Sequence, residues 1–148
     1  MLSLREPASA RTGMTFHQML EKIRYEGAYP TRDRAETITR AVLEALGRQL
    51  TTAERIELAA CLPTEASHAL TRQNPDPQQV TGRQFVKNLA HRTGTTPATA
   101  RWDTGAVLAT LGHLAGPDLL TRILHQLPEG YALLFGQAEL RRREPAAA

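Results

Sequence analysis

The sequence TRAVLEALG at residues 39–47 decides the fold, because it returns in closely similar form as TGAVLATLG at residues 104–112. The two copies are 65 positions apart, and the dipeptide Leu-Pro recurs at residues 62–63 and 127–128 with the same spacing. A shift that stays constant between landmarks indicates an internal duplication, in which each copy is one supersecondary unit that buries its apolar face against its neighbour. The chain is therefore predicted to contain one helical unit twice.

Each copy opens with the pattern of a short amphipathic helix. Thr15 is followed three residues later by Gln18, and Thr81 by Gln84, which is the capping-box spacing that starts helices. Apolar residues then follow at matching helical positions in the two copies. They are Met19, Leu20 and Ile23 in the first copy, and Phe85, Val86 and Leu89 in the second.

Three more helices are predicted in each copy. The repeated stretch lies in a long second helix, and Thr51 with Glu54 supplies a capping box for the third, on whose inner face Ile56 is expected. The two Leu-Pro dipeptides predict sharp corners, since a residue before proline avoids the helical conformation. Fourth helices are expected over residues 64–70 and 129–140. No stretch alternates with period two between turns, so no sheet is predicted.

The predicted fold class is all-α, with two tandem pseudo-symmetric repeats of about four short helices each, packed into one compact globule. The repeated Val and Leu stripes are expected to face each other across a pseudo-twofold relation. The predicted organisation is a disordered leader (1–14), a single helical domain (15–140) made of repeat one (15–70), a polar linker (71–80) and repeat two (81–140), and a disordered tail (141–148).

The doubled pattern resembles a bacterial family known as domain of unknown function 2267. The residues that carry the resemblance are Ala41, Val42, Leu43, Leu46, Leu62 and Pro63 with their partners Ala106, Val107, Leu108, Leu111, Leu127 and Pro128. These are packing and corner residues. The resemblance thus implies an all-helical domain of two repeats over residues 15–140, and it implies no catalytic or ligand-binding residue.

The composition favours a cytoplasmic protein that needs no disulfide bond for its stability. The 148 residues suffice for one domain with a sizeable core, and the single cysteine, Cys61, excludes an intramolecular disulfide. Cys61 lies in an apolar run and is predicted to be a buried structural thiol. No run approaches the roughly 18 apolar residues of a membrane span, and the N-terminus lacks the apolar core of a secretory signal. No membrane partner is expected.

No motif for catalysis or cofactor binding is found. The sequence has no nucleophile elbow, no glycine-rich phosphate loop and no histidine spacing typical of zinc enzymes. His17 and Glu21 are four residues apart on one helical face, but two ligands do not make a metal site. The chain is therefore predicted not to be an enzyme and to hold neither a metal nor a cofactor.

The basic residues suggest one candidate surface. The chain has 18 basic and 15 acidic residues, for a net charge of +3. Two pairs at i, i+4, Glu36 with Arg40 and Glu44 with Arg48, are expected to neutralise each other on the exposed face of the long helix. Basic residues without such partners occur in the second repeat. If they share one face, Arg83, Lys87, Arg92 and Arg101 form a modest basic patch.

Trp102 is the only tryptophan, and it occupies the position of Thr37 in the first copy. One interpretation places its ring in the core between the repeats, as the first residue of the apolar stripe. The other makes it an exposed anchor for a partner, since tryptophan is frequent at binding hot spots. The core interpretation is favoured by the pattern.

The predicted function follows because core packing accounts for the apolar residues and no catalytic motif is found. A non-catalytic helical interaction or regulatory domain is expected, binding an unknown protein partner or self-associating as a homodimer through a groove between the repeats. The alternative is a nucleic-acid-binding protein that uses Arg83, Lys87, Arg92 and Arg101 to contact phosphates.

Overall fold

The computed structural model describes residues 14–137, and within this range it is compact and all-helical, as the sequence predicts. No strand occurs among these residues. The predicted tail, and the predicted leader apart from Met14, lie outside the described residues. The eight described helices are α1 (Phe16–Gly27), α2 (Arg32–Gly47), α3 (Thr52–Ala60), α4 (Thr64–Thr71), α5 (Gly82–Thr93), α6 (Pro97–Ala115), α7 (Pro117–Gln126) and α8 (Tyr131–Leu134).

The three predicted capping boxes differ in the structure. At α1 the box is complete: the Thr15 hydroxyl accepts from the Gln18 N–H at 3.1 Å, and the Thr15 N–H donates to Gln18 Oε1 at 3.0 Å. At α5 only the threonine half forms, because the side-chain amide of Gln84 donates to Asn88 instead. The box predicted for α3 is wrong, since the Thr51 hydroxyl donates to the Glu54 carboxylate and caps no backbone N–H.

The repeated stretch forms the centre of the core. It occupies the C-terminal half of α2 and the middle of α6, and these two helices pack against each other. Their apolar side chains are inaccessible to solvent because they fill the space between the helices, as close packing requires. The fully buried members are Val42, Leu43 and Leu46 from α2, and Val107, Leu108 and Leu111 from α6.

The contacts between the two halves of the chain are reciprocal. Helix α1 packs on α6 and α5 packs on α2, while α3 meets α7. Glu57 and Arg122, which are 65 positions apart, form a bidentate ion pair between α3 and α7, with N–O distances of 3.0 and 2.8 Å. A twofold relation requires reciprocal contacts of this kind. The pseudo-symmetry of the repeats itself stays a prediction, to be tested by superposing the halves.

The fourth helix of the second half is shorter than the sequence pattern predicts. The predicted helix over residues 129–140 is wrong in extent, since α8 covers Tyr131–Leu134 alone. Gly136 has a φ of 81°, a left-handed conformation that ends a helix. The corner before α8 agrees with the prediction, because Leu127 is extended, with φ −95° and ψ 152°.

Helix α3 is rotated relative to the predicted orientation. Ile56 was expected on the inner face, yet its side chain is 60% exposed, and Arg55 and Leu58 are buried instead. The Arg55 guanidinium donates to the carbonyl oxygens of Gly47, at 3.1 Å, and Gln73, at 2.6 Å. The last carbonyls of a helix need donors. Arg55 supplies one for α2, and this contact turns Ile56 outward.

The segment between the halves is held against the end of α2 by Gln49. This buried side chain donates to the Asp76 carboxylate at 2.9 Å and accepts from the Val80 N–H at 2.8 Å. The Gln49 carbonyl also accepts from the Gln79 amide at 2.8 Å. The polar residues of the predicted linker therefore fix its path, and with it the start of α5.

A pair of substitutions tests the observed core. Leu46→Ala is expected to lower the free energy of unfolding by about 2–5 kcal/mol, because it leaves a cavity at a fully buried position. Ile56→Ala should change it by less than about 0.5 kcal/mol, since this side chain faces solvent. Urea denaturation of both variants measures the difference. Equal losses would place Ile56 in the core and contradict the observed orientation of α3.

Candidate functional site

Three of the four predicted basic residues line one cavity. Arg83 and Lys87 lie one turn apart on α5, and Arg101 lies on the facing side of α6. The cavity has a volume of about 460 Å³, which is within the range of ligand-binding clefts. Its lining also includes buried Val86 and Leu134 and the exposed side chain of Leu133, all apolar. The structure thus combines positive charge with an apolar floor.

The fourth basic residue, Arg92, is not part of this cavity. Burial and the neighbouring guanidinium of Arg48 lower the pKa of Arg92, and the carboxylates of Asp76 and Glu44 oppose that effect. These neighbours belong to the end of α2 and the segment between the halves. The predicted patch of four is therefore wrong in one member, because Arg92 projects from α5 about 140° around the helix axis from Lys87.

A close backbone crossing positions α8 beside α5. The Gly82 N–H donates to the Glu129 carbonyl at 2.9 Å, and a Cβ atom at Gly82 would lie 2.6 Å from the carbonyl carbon of Gly130. Gly130 has a φ of 97°, which favours glycine. Tyr131 then packs edge-on against Phe85, with ring centroids 5.6 Å apart. These contacts bring Leu133 to the cavity that Arg83 and Lys87 line.

Trp102 is on the surface and not in the core. Its side chain is 58% exposed, and its indole N–H donates to the Gly27 carbonyl at the end of α1, at 2.9 Å. The favoured core interpretation is therefore wrong. Helix α6 buries residues on most of its circumference, including Thr104, Val107 and Leu108. The positions of its apolar residues in the sequence therefore did not show which face of the helix is exposed.

The ring of Trp102 lines a second cavity, of about 340 Å³, that adjoins the first. Ala98 and Arg101 line both cavities. Together with Trp102 and Gly105 they occupy positions i, i+3, i+4 and i+7 of α6, so they form one continuous strip along the helix. We call the surface formed by this strip and its neighbours the α6 groove. Its members used below are Arg83, Lys87, Ala98, Arg101, Trp102 and Leu133.

A buried hydrogen bond holds α6 against the segment that follows α1, next to Trp102. The Tyr29 hydroxyl donates to Asp103 Oδ1 at 2.6 Å, and both side chains are buried. Burial raises the pKa of Tyr29 well above its ordinary value near 10, and the Asp103 carboxylate raises it further. The ring of Tyr29 lies so close to Gly27 that a Cβ atom there would collide with it. Neither residue of this pair was predicted from the sequence, although an aspartate next to the apolar stripe of α6 was the available signal.

The cations of the α6 groove have no acidic partners in the part of the chain that the structure describes. Within residues 14–137, Arg83, Lys87 and Arg101 form no ion pair. Four arginines outside the groove do pair with glutamates, namely Arg24, Arg32, Arg40 and Arg122. The pair of Arg40 with Glu36, at 2.7 Å, is as predicted. The predicted pair of Glu44 and Arg48 is wrong, because Arg48 donates to the Gln73 side chain. Among the residues that line the two cavities the one carboxylate is Glu26, at the Trp102 end.

The described residues offer little for metal binding. Between residues 14 and 137 no group of three or more His, Cys, Asp or Glu side chains is arranged to hold a metal ion. His17 and Glu21 both contact the Arg32 guanidinium, at 3.4 and 3.1 Å. Cys61 is half-buried, and its thiol lies 3.5 Å from the Glu57 carbonyl.

Among the described helices none has the length and apolar character that a membrane span needs.

A larger cavity, of about 580 Å³, lies between α6 and α7. Its polar lining consists of His113, Thr121, His125 and Gln137, with both histidines exposed. No Arg, Lys, Asp or Glu side chain occurs in this lining, so the cavity lacks a strong charge to orient a ligand. It contains none of the residues singled out in the sequence analysis as contacts for a partner.

A family model described as an uncharacterized conserved protein (DUF2267) matches residues 16–134. The chain belongs to this family. The match begins with the first residue of α1 and ends with the last residue of α8, so the DUF2267 domain includes all eight described helices and the whole α6 groove. No curated protein matches this DUF2267 chain.

The glycine crossing that positions α8 can be tested by two matched substitutions. Gly82→Ala is expected to destabilise the DUF2267 domain by about 1–3 kcal/mol, because the new methyl group would collide with the backbone of Gly130. Gly105→Ala meets no atom within 4 Å and should stabilise α6 by about 0.5–1 kcal/mol. Thermal unfolding measures both changes. A Gly82→Ala domain as stable as the wild type would contradict the crossing.

Replacing Tyr29 tests its hydrogen bond to Asp103 of α6. Tyr29→Phe is expected to cost about 1–3 kcal/mol at neutral pH, because buried Asp103 loses its donor. At pH above 10 the wild-type domain should lose stability, since the unfolded chain releases the Tyr29 proton before the folded chain does. The slope per tyrosine is about 1.4 kcal/mol per pH unit.

Burial also raises the pKa of Tyr131, so the wild-type slope contains two tyrosines and that of Tyr29→Phe only one. Urea denaturation between pH 7 and 11 measures the two slopes. The control is Tyr25→Phe, since the Tyr25 side chain is 83% exposed and forms no described hydrogen bond. Its stability should match the wild type at neutral pH. Identical slopes for wild type and Tyr29→Phe would refute the assignment.

Proposed function

We propose that this DUF2267 domain is a non-catalytic helical interaction domain that binds a protein partner at the α6 groove. The observation that carries the proposal is the combination, on one surface, of exposed Trp102 and Leu133 with three cations that have no acidic partner among the described residues. Apolar surface left exposed beside polar groups is typical of interaction sites.

We also propose a cytoplasmic location for the protein, and its single cysteine agrees with that location.

The groove contains residues of the types that form binding hot spots. Tryptophan and arginine are the residue types most enriched at hot spots, and Trp102 and Arg101 are neighbours here. The Trp102 ring is held by its bond to the Gly27 carbonyl, so little conformational freedom is lost when a partner covers it. Binding is also favoured over catalysis at this surface, because the cavity linings contain no thiol, hydroxyl or imidazole group to act as a nucleophile.

Self-association through the same surface is less well supported. In a twofold dimer the same patch meets itself, so the three cations of one copy would face those of the other. Bringing like charges together in an interface costs about 2 kcal/mol or more of binding free energy. A partner of different sequence fits the groove better than a second copy of the chain.

Nucleic acid is the second candidate partner. The three grouped cations favour it, since lysine and arginine neutralise phosphates. The exposed face of Trp102 also offers a base a stacking platform. The apolar side chain of Leu133 and the carboxylate of Glu26 oppose it, because the one adds nothing to phosphate binding and the other repels phosphate.

Charge reversal in the groove tests the proposal. Lys87→Glu/Arg101→Glu is expected to lose the proteins that the wild-type chain captures from a lysate of its source cell, as quantified by mass spectrometry. The matched control is Arg72→Glu/Arg92→Glu, which changes the net charge equally at exposed positions outside the groove. Circular dichroism shows whether both variants are folded. Retention of the same proteins by both double variants would refute the groove as the docking surface.

The same variants separate the two candidate partners. At about 50 mM salt we expect no binding of single-stranded or duplex DNA to the wild-type chain. An affinity that falls steeply with salt, and that Lys87→Glu/Arg101→Glu abolishes, would favour nucleic acid instead.

A further inference from the structure

We infer that the partner segment that binds the α6 groove is an amphipathic α-helix with carboxylate side chains. This inference rests on the proposed function, and it names the chemistry that the groove recognises. Four properties of the groove lead to it: the sign of its charge, the shape of its floor, the apolar side chains at its two ends and the position of its one carboxylate.

The charge of the groove calls for an acidic partner. Arg83, Lys87 and Arg101 surround one cavity, and none has an ion pair within residues 14–137. The planar guanidinium groups of Arg83 and Arg101 match a carboxylate by two parallel hydrogen bonds. A segment with Asp or Glu side chains would neutralise these cations where apolar contacts exclude water, so each pair contributes more than it would on an open surface.

The shape of the floor fits a helix. The described residues contain no strand, so they offer no sheet edge to which an extended peptide could add. The strip from Ala98 to Gly105 is about 10 Å long, which corresponds to two helical turns. Small residues lie along it, and the space above Gly105 is open. A second helix can therefore approach α6 closely.

Apolar side chains at both ends of the groove complete the match. Leu133 borders the first cavity and Trp102 the second, and each is more than half exposed. A helix that lies along the strip presents side chains at i, i+3 or i+4, and i+7 to one face. Leucine or aromatic residues with this spacing would cover Leu133 and Trp102 together, while the carboxylates between them reach the cations.

The position of Glu26 gives the bound helix a direction. This carboxylate lines the cavity at the Trp102 end, whereas Arg83 and Lys87 lie at the Leu133 end. Acidic residues of the partner therefore belong at the Leu133 end, and neutral or basic residues at the Trp102 end. Acidic side chains stabilise the first turn of a helix. The partner's N-terminal end is thus placed beside α8.

Selection from a random peptide library tests the inference without knowledge of the natural partner. The probe is a phage-displayed library of random 16-residue peptides, selected on the immobilised full chain and eluted after washing. We expect enrichment of sequences with apolar residues at i, i+3 or i+4, and i+7, and with Asp or Glu in their N-terminal half. Enriched peptides that are basic or uncharged would overturn the inference.

The most enriched peptide, synthesised without tryptophan, is then titrated into the chain. Trp102 is the only tryptophan, so a change of its fluorescence reports binding at the groove. Lys87→Glu/Arg101→Glu should weaken binding by at least about tenfold, because two charge pairs are lost and replaced by repulsion. Arg72→Glu/Arg92→Glu should bind within about twofold of the wild type, since rim and distant charges contribute little.

A charge exchange provides the confirming measurement. A peptide in which the selected acidic residues are replaced by lysine should bind Lys87→Glu/Arg101→Glu more tightly than it binds the wild type. Peptides that depend on the groove but lack carboxylates would leave the proposed function standing and refute the acidic partner. Selection that yields no peptide sensitive to Lys87→Glu/Arg101→Glu would refute both.

Discussion

The packing of α2 against α6 is the contact on which the rest of the structure depends. Both helices bury a Val-Leu-x-x-Leu stripe, and the other helices of each half fold around this pair. Helix α6 also packs against α1, α5, α7 and α8, and these contacts leave the strip from Ala98 to Gly105 uncovered. The groove is therefore a consequence of how the core is filled.

Polar contacts then set the orientation of the helices around this pair. The Tyr29 hydroxyl ties the segment after α1 to Asp103, and Arg55 and Gln49 hold the end of α2 and the segment that follows it. A buried polar group without a partner costs about 1–3 kcal/mol, so these bonds exclude rotated or shifted arrangements that apolar packing alone would tolerate. The exposed position of Trp102 follows from them.

Cations are grouped at the groove. Elsewhere Arg24, Arg40 and Arg122 pair with glutamates, and exposed pairs of this kind contribute little to stability. Around the groove the cations have no acidic partners among the described residues, and they adjoin exposed apolar side chains. Such an arrangement has no evident role in holding the fold together. It is suited to recognition of an oppositely charged partner, in which the apolar contacts supply affinity and the charges supply selectivity.

The sequence by itself determined the helices, the buried stripes of α2 and α6, the Leu-Pro corners and the family, because these depend on local periodicity and on the repeat. It did not determine which way a helix faces: Ile56 and Trp102 proved exposed, and Arg92 proved to lie outside the cavity that Arg83 and Lys87 line. The sequence also did not predict the length of α8 or the position of Leu133 at the groove. Rotation about a helix axis is set by partners far away in the chain, such as Gly47 for Arg55 and Tyr29 for Asp103. Only the tertiary structure brings those partners together.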